Sequence, residues 1–309
     1  MTSEQPTGLA AETRGRVQGR LLVLLAAVMW STSGFFAKAP LFADWPLEPR
    51  GPLLAFWRAL FALLVLVPLV RQPRWTWRIV PMVLLFAGMN FTYLSAMTQT
   101  SAANAIWMQS PAPIWVFLIG VFWMGERIAR GDWTMFACGA AGVAIILAGE
   151  MRATEPSMRG VLYGLVSGAF YGGVVLSIRH LRELNSAWLV TLNHAATAVV
   201  LLPLVLYHNI WPSGQQWFYL AGFGMFQMGI PYLLFAQGVR KITGHEAAGI
   251  GLLEPVLVPV WVFLAWRHDP SYRGPATWTL IGGGLILCGL LLKYRSHSPR
   301  PSASNSIKE

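Results

Sequence analysis

Residues 65–70 read Val-Leu-Val-Pro-Leu-Val and residues 200–205 read Val-Leu-Leu-Pro-Leu-Val, so one short segment occurs twice with a single change. Each copy lies inside an apolar stretch of about 20 residues, the length that an α-helix needs to cross a bilayer. The repeated proline falls at the same place in both copies. The chain therefore contains an internal repeat of membrane-spanning segments, and this repeat decides the fold.

Ten apolar stretches follow one another along the 309 residues, and hydrophobic residues make up 55% of the chain while charged residues make up 12%. Soluble proteins carry about a quarter charged residues, so a soluble enzyme, a disordered chain and a disulfide-stapled secreted domain are excluded. Long runs without alternation also exclude a β-barrel. The predicted spans are 21–38, 52–70, 79–98, 102–124, 132–149, 158–178, 187–207, 215–238, 246–266 and 275–293. The expected fold is an all-α polytopic membrane protein with ten transmembrane helices.

The two copies lie in the second and seventh spans, so each half of the chain holds five spans. Because five is odd, the second half enters the membrane from the opposite side, and the halves form an inverted repeat (5+5). Secondary transporters use such repeats to expose one midplane site to each side in turn. Further matches between the halves are Met89, Tyr93 and Leu94 with Met228, Tyr232 and Leu233, Pro111 with Pro255, and Trp30 with Tyr171. The predicted units are an N-terminal tail (1–19), a first repeat (20–150), a second repeat (157–294) and a C-terminal tail (295–309).

Basic residues concentrate on one side of the predicted spans. If the N-terminus is cytoplasmic, sixteen of the 23 Lys and Arg residues lie in cytoplasmic pieces, six lie outside and Arg58 lies within a span. The positive-inside rule then places both tails in the cytoplasm of a multi-pass inner-membrane protein. This asymmetry accounts for the net charge of +10 without nucleic acid. The first span resembles a signal peptide, but Pro40 after the small-residue pattern Ala37-Lys38-Ala39 disfavours cleavage, so we expect it to be retained.

Two charged residues are predicted to lie at membrane depth, where a charge costs at least about 2.5–3.5 kcal/mol and indicates a cavity or a partner. Glu254 lies eight residues into the ninth span, where a carboxyl group can carry a proton or meet a cationic amine. A structural contact with a neighbouring helix is the alternative. Arg58 lies six residues into the second span and can capture a carboxylate, reach outward to the membrane surface, or pair with Glu254.

Amide, aromatic and histidine side chains at similar depth complete the predicted substrate-binding set. They are Trp30, Asn90, Tyr93, Trp107, Asn193, His194, Gln227, Tyr232 and Trp261. Rings and amides that line a pocket suit amphipathic organic molecules, although core packing explains buried tryptophans equally well. Pro111 and Pro255 interrupt helical hydrogen bonding at matching depths and are predicted to act in gating.

Three motifs resemble a known family. They are Trp30 near the end of the first span, Phe56-Trp57-Arg58 ahead of the run to Pro68, and Ser110-Pro111 followed by Gly125-Glu126-Arg127. Over residues 21–293 the chain resembles the drug/metabolite transporter (DMT) superfamily and, within it, the ten-helix EamA family of bacterial exporters. The second half departs from the pattern, because Trp266-Arg267-His268-Asp269-Pro270 stands where a Gly-Glu motif is expected. The resemblance implies an electrochemically driven carrier that exports small metabolites such as amino acids, aromatic compounds or drugs.

The predicted function is therefore a secondary transporter that moves a small organic metabolite across the inner membrane by alternating access, with export as the expected direction. The expected partners are a small-molecule substrate, the lipid bilayer and a second copy of the chain in a homodimer, with protons as a further partner where transport is pH-driven and not uncoupled. The sequence holds no P-loop, no HExxH motif and no nucleophile elbow, so no cofactor, catalytic residue or metal site is predicted. One alternative is an intramembrane enzyme that acts on lipid or peptide with Glu254 and His194 as acid and base. Another is a scaffold or sensor with a solid centre.

Overall fold

The computed structural model describes residues 8–122, 130–154 and 157–296, and every regular element in these ranges is helical. The α-helices are α1 (Gly8–Ser31), α2 (Ser33–Ala37), α3 (Leu47–Leu66), α4 (Ile79–Gln99), α5 (Ala102–Gln109), α6 (Ala112–Phe122), α7 (Arg130–Met151), α8 (Met158–His180), α9 (Ser186–His208), α10 (Gln216–Ala221), α11 (Ile230–Gly238), α12 (Gly244–Gly251), α13 (Glu254–Trp266) and α14 (Thr277–Ser296). Two short 3-10 helices (Pro40–Phe42 and Val67–Leu69) and one π-helix (Gly222–Gly229) lie between them.

Eight helical segments in these ranges are long and apolar enough to cross a membrane. They are Thr13–Ala37, Leu47–Leu69, Ile79–Gln99, Trp133–Met151, Met158–His180, Ser186–His208, Gln216–Gly238 and Glu246–Trp266. A shorter apolar stretch, Thr277–Lys293, lies in α14. The predicted fourth span (102–124) is divided between α5 and α6, and the Gly125-Glu126-Arg127 motif lies outside the described residues. The prediction of an all-helical, multi-pass membrane protein is confirmed.

Two helices begin earlier than the sequence predicts. Helix α1 begins at Gly8, so part of the stretch predicted as a tail (1–19) is helical; Ala10 and Ala11 favour a helix there. Helix α3 begins at Leu47, ahead of the predicted second span (52–70), and contains Pro49 and Pro52. Pro49 is tolerated in the first turn because the first four N–H groups have no partner within the helix, whereas Pro52 lies inside the helix and cannot donate to the carbonyl of Glu48.

Prolines divide two of the apolar segments. The first segment breaks at Ser110 and Pro111, between α5 and α6. The second breaks between α12 and α13, and Pro255 is the second residue of α13. Proline has no N–H to donate and its ring excludes the carbonyl four residues earlier, which for Pro255 is that of Gly251, the last residue of α12. Each break frees backbone groups halfway along an apolar segment.

A π-helix widens the segment that runs from α10 to α11. It covers Gly222–Gly229 and ends just before Pro231 in the first turn of α11. Pro231 cannot donate to the carbonyl of Gln227, so the hydrogen bonds are rearranged there. The corresponding helix of the first half, α4, is α-helical throughout Ile79–Gln99. The two halves therefore differ in backbone at this point, and π-turns of this kind occur often at functional sites.

Helices α7 and α14 pack against each other through glycines. A Cβ atom added to Gly142 would lie 2.4 Å from the carbonyl oxygen of Gly282, and one added to Gly282 would lie 2.6 Å from the carbonyl oxygen of Gly142. The two backbones are therefore in direct contact, which is how small residues let membrane helices approach closely.

Candidate functional site

Buried and half-buried side chains from both halves of the chain meet inside the helix bundle, in a group that we call the central cluster. Its members are Trp30, Ser33, Arg58, Asn90, Tyr93, His194, Gln227, Tyr232 and Glu254. They come from α1, α2, α3, α4, α9, the π-helix, α11 and α13. Most of the residues predicted from the sequence to bind substrate are thus brought together.

Arg58 is 2% exposed and is held inside the cluster. Its guanidinium group donates a hydrogen bond to Oδ1 of Asn90, and Nδ2 of Asn90 donates to the carbonyl oxygen of Phe86 at 2.9 Å. The guanidinium carbon lies 5.0 Å from the ring centre of Phe223. Arg58 therefore does not reach outward to the membrane surface. It forms no ion pair with Glu254 within 4 Å, so neither of those two alternatives describes this structure.

Glu254 is the first residue of α13, directly after the helix break. Its charge interacts with Arg58, Tyr93 and Tyr232, but within the described ranges its carboxylate accepts no hydrogen bond. A Cβ atom added to Gly251, three residues earlier, would meet no atom within 4 Å. Open space therefore adjoins the last residue of α12, and the acidic group at the start of α13 has no hydrogen-bond partner among the described residues.

His194 is fully buried, and neither of its ring nitrogens has a hydrogen-bond partner among the described residues. Its ring packs edge-on against Phe86 at 5.1 Å and Tyr232 at 6.1 Å between ring centres. It forms no hydrogen bond with Glu254, so the contact that would favour an intramembrane enzyme with these two residues as acid and base is not observed.

Several other buried polar atoms lack a partner among the protein atoms of the described part of the chain. They are Nε1 of Trp57, Nε of Arg58, Oδ1 of Asn193, Oε1 of Gln227 and Nε1 of Trp278. Buried polar groups are hydrogen-bonded in the great majority of cases. Four of these five lie on α3, α9 and the π-helix, so donors and acceptors on helices that contribute to the central cluster remain available to a polar ligand.

The aromatic members of the predicted set fall into two groups. Trp30 packs on Tyr232 with ring centres 5.2 Å apart, its carbonyl accepts from Nε2 of Gln227 at 2.9 Å, and Tyr93 shares a 2.9 Å hydrogen bond with Ser33. These residues belong to the central cluster. Trp261 and Trp107 lie apart from it.

Trp261 lines a half-open side cavity of about 220 Å³ together with Thr32, Phe35, Phe36 and Phe226. Its Nε1 donates to Oγ of Ser31 at 2.8 Å. Trp107 is buried, and its ring packs on Gly283 of α14 instead of turning toward Arg58. The structure therefore places Trp107 in helix packing, the reading that the sequence left open for buried tryptophans.

Sequence reasoning missed Phe223, which is fully buried, faces Arg58 and stacks on Phe36 with ring centres 5.4 Å apart. The signal that was available is its position four residues before Gln227, because residues four apart share a helix face. The π-helix that contains both residues has no equally clear sequence signal beyond Pro231.

Comparison with known proteins identifies the family. The profile of the EamA-like transporter family matches residues 17–148 and again residues 158–295. The chain belongs to the EamA-like transporter family. The resemblance drawn from the motifs is thus confirmed, and both halves of the chain match the same family.

Relatives of this EamA-like transporter are named as transporters. An uncharacterized transporter of Archaeoglobus fulgidus is 27% identical over 90% of this chain and 96% of its own length. The aromatic amino acid exporter YddG of Ancylobacter novellus is 22% identical, over 67% of this chain and 73% of its own. The pseudopaline exporter CntI of Pseudomonas aeruginosa is 24% identical, over 79% and 86%. A crystal structure with 19% identity covers 92% of this chain and all of its own with a TM-score of 0.61, which supports the fold.

Proposed function

We propose that this EamA-like transporter exports a small organic metabolite across the cell inner membrane by alternating access between two inverted five-span repeats. The double match to one family profile supports the repeat. Eight long apolar segments, the α5–α6 pair and α14 together make ten candidate crossings, which supports five spans in each half. The uneven distribution of Lys and Arg supports cytoplasmic termini.

The pairing of helices supports the same arrangement. If a two-fold axis relates the two halves, each helix has a counterpart at the same position in the other half. A contact between two helices must then recur between their two counterparts. Helix α1 packs on α11 and α8 packs on α4, which are counterpart pairs. The π-helix packs on α3 and α4 packs on α9, which are again counterparts. Helix α3 packs on α9 and α7 packs on α14, and in each of these contacts a helix meets its own counterpart from the other half.

One observation carries the assignment of a substrate: Arg58 and Glu254 bear opposite charges in one cluster without an ion pair between them. A guanidinium group suits a carboxylate, and a carboxylate suits an ammonium group. A molecule that carries both groups, such as an amino acid, satisfies both residues at once. The aromatic members of the cluster and the named substrate of one relative, an aromatic amino acid, support a ring on that molecule.

The helix breaks supply the moving parts of the proposal. Pro111 and Pro255 separate α5 from α6 and α12 from α13, so each segment can bend near its middle. Glu254 adjoins one of these breaks and is the proposed carrier of a coupling proton, because a carboxylate without a fixed partner can exchange one. A homodimer is retained as an expectation from the sequence.

Transport by the purified protein in liposomes tests this proposal. Phenylalanine is expected to show saturable flux at least about tenfold faster than phenethylamine, which lacks the carboxylate, and 3-phenylpropionate, which lacks the amine. The reason is that a site built around a buried guanidinium group and a half-buried carboxylate rejects analogues that leave one of them unpaired. Equal flux of all three compounds would contradict the proposed zwitterion site.

In the Arg58→Gln variant, the flux of phenylalanine is expected to fall to that of phenethylamine. The glutamine side chain keeps a hydrogen-bond donor for Asn90 but lacks the positive charge that would bind the carboxylate. Arg71→Gln, an equivalent change in an exposed loop, is the matched control and is expected to leave the flux of all three compounds unchanged. If both variants behave alike, Arg58 does not recognise the carboxylate.

A further inference from the structure

Each half of the chain contains a helix hairpin, and the tips of the two hairpins lie at opposite ends of the helix bundle. The first tip joins α4 to α5 and the second joins α11 to α12. In each, a hydroxyl residue caps the second helix by accepting from the backbone N–H of the third helical residue: Ser101 caps α5 through Asn104, and Thr243 caps α12 through Glu246. Asn104 and Glu246 therefore occupy equivalent places in the two halves.

The backbones around the two tips also pack alike. A Cβ atom added to Gly160 would lie 2.8 Å from Cβ of Thr100 at the first tip, and one added to Gly19 would lie 2.7 Å from Cβ of Lys241 at the second. Each tip is therefore pressed against the glycine of a long helix, α8 or α1. The difference between the tips lies in their polar contacts.

The first tip is fastened by a network that we call the buried latch. Asn104 is 2% exposed and Glu150, near the end of α7, is 5% exposed. Nδ2 of Asn104 donates to Glu150 at 2.7 Å, and the other carboxylate oxygen accepts from the N–H of Ser157 at 3.0 Å and its hydroxyl at 2.9 Å. Oγ1 of Thr279 donates to Oδ1 of Asn104 at 2.6 Å. One tip is thus tied to α7 by a charge-assisted bond and to α14 by a neutral one, both out of water.

The second tip is fastened by contacts that we call the exposed latch. Glu246 accepts from the guanidinium group of Arg20, including a 3.2 Å bond from Nε, and the two side chains are 27% and 51% exposed. Nζ of Lys241 donates to Oε1 of Gln18 at 2.5 Å. Both contacts reach α1 alone, and ion pairs in contact with water contribute little to stability.

We propose that this difference between the latches sets the resting state of the transporter: closed at the end where α5 begins, and free to open at the end where α12 begins. The inference rests on the alternating access proposed above. Opening at the first tip removes the Asn104 donor from the buried Glu150 carboxylate and the Thr279 donor from Asn104, whereas opening at the second separates groups that water already solvates. With cytoplasmic termini, the end that opens first faces the cytoplasm, as an exporter requires.

The same substitution at the two tips tests the inference. In a background with Cys138→Ala and Cys288→Ala, Ser33→Cys places one thiol in the central cluster. Its rate of reaction with an impermeant thiosulfonate is measured from each side in right-side-out and inside-out vesicles. Glu150→Gln is expected to raise the rate from the α5 side at least about tenfold, because an amide has one acceptor oxygen where Glu150 uses two.

Glu246→Gln is the matched control, since glutamine keeps the capping contact with Thr243 and loses only the ion pair. It is expected to change either rate by less than about twofold. Thr279→Val removes a single hydrogen bond of the buried latch and is expected to raise the thiol reaction rate from the α5 side about threefold. This second variant tests the latch even if Glu150→Gln fails to fold.

Two results would overturn the latch: equal effects of Glu150→Gln and Glu246→Gln, or no effect of either variant on a thiol that does react. Both leave alternating access in place. A thiol that reacts from neither side in any variant would contradict the proposed function as well as the latch.

Discussion

The Glu254→Gln variant is expected to lose at least about 30-fold in transport rate, because removing one charge of a buried recognition pair costs about 2 kcal/mol or more. Glutamine has nearly the same size and keeps an oxygen at the same place, so helix packing around α13 is unchanged. Only the negative charge is removed, and with it both the partner for an ammonium group and the site for a proton. Initial rates of phenylalanine uptake into liposomes, measured with and without a pH gradient, check this expectation.

Glu183→Gln is the matched control for this variant, because Glu183 is exposed between α8 and α9 and lies outside the candidate spans. It is expected to transport as the unmodified protein does. If Glu254→Gln retained its rate and its response to the pH gradient, neither substrate nor proton would depend on the carboxylate. The role assigned to Glu254 would then be withdrawn, while the role of Arg58 would stand on its own test.

Gly282→Val is expected to destabilise the protein by about 3 kcal/mol or more, the upper range for overpacking, because the contact that the side chain meets is backbone. The valine Cβ would lie 2.6 Å from the carbonyl oxygen of Gly142, and a main-chain atom cannot turn aside as a flexible side chain can. The expected result is loss of monodisperse protein and an earlier unfolding midpoint in a denaturing-detergent titration.

Gly284→Val is the matched control, two residues along the same helix. A Cβ atom at Gly284 meets nothing within 4 Å, so this variant is expected to unfold within about 0.5 kcal/mol of the unmodified protein. Equal destabilisation by the two variants would mean that valine disturbs α14 itself and not its contact with α7. The midpoint shifts of the two proteins decide between these readings.

Most of the fold was predictable because its signals are local. Apolar length and composition predict the helices, and Pro111 and Pro255 predict the two broken segments. The early start of α3 was missed for a physical reason: a proline in a first turn, such as Pro49, looks like a breaker in a sequence, although it is compatible with a helix start. The π-helix was missed because its rearranged hydrogen bonds leave little trace in the residues themselves.

The sequence predicted most of the residues that form the candidate site, but it predicted only part of their arrangement in space. Arg58, Glu254, Tyr93 and His194 stood out because polar groups are rare at membrane depth, and the structure does gather them. Trp107 could not be separated from them, since which way a buried ring turns depends on tertiary contacts such as Gly283.

The buried latch was missed for a similar reason, and Glu150 was not singled out. Glu150 stands at the end of a span, where a charge in a sequence is ordinary. Its hydrogen bonds come from Asn104 and Ser157, and Asn104 is held in turn by Thr279, a residue from a third segment of the chain.

The contact between α7 and α14 also limits which substitutions the protein can accept during evolution. In most packed pairs, enlarging one side chain is tolerated once its neighbour becomes smaller. Gly142 and Gly282 have no side chain, so neither residue can be replaced by a smaller one to make room for the other. A suppressor of a defect at one position therefore cannot arise at the other, and the two sites are fixed together.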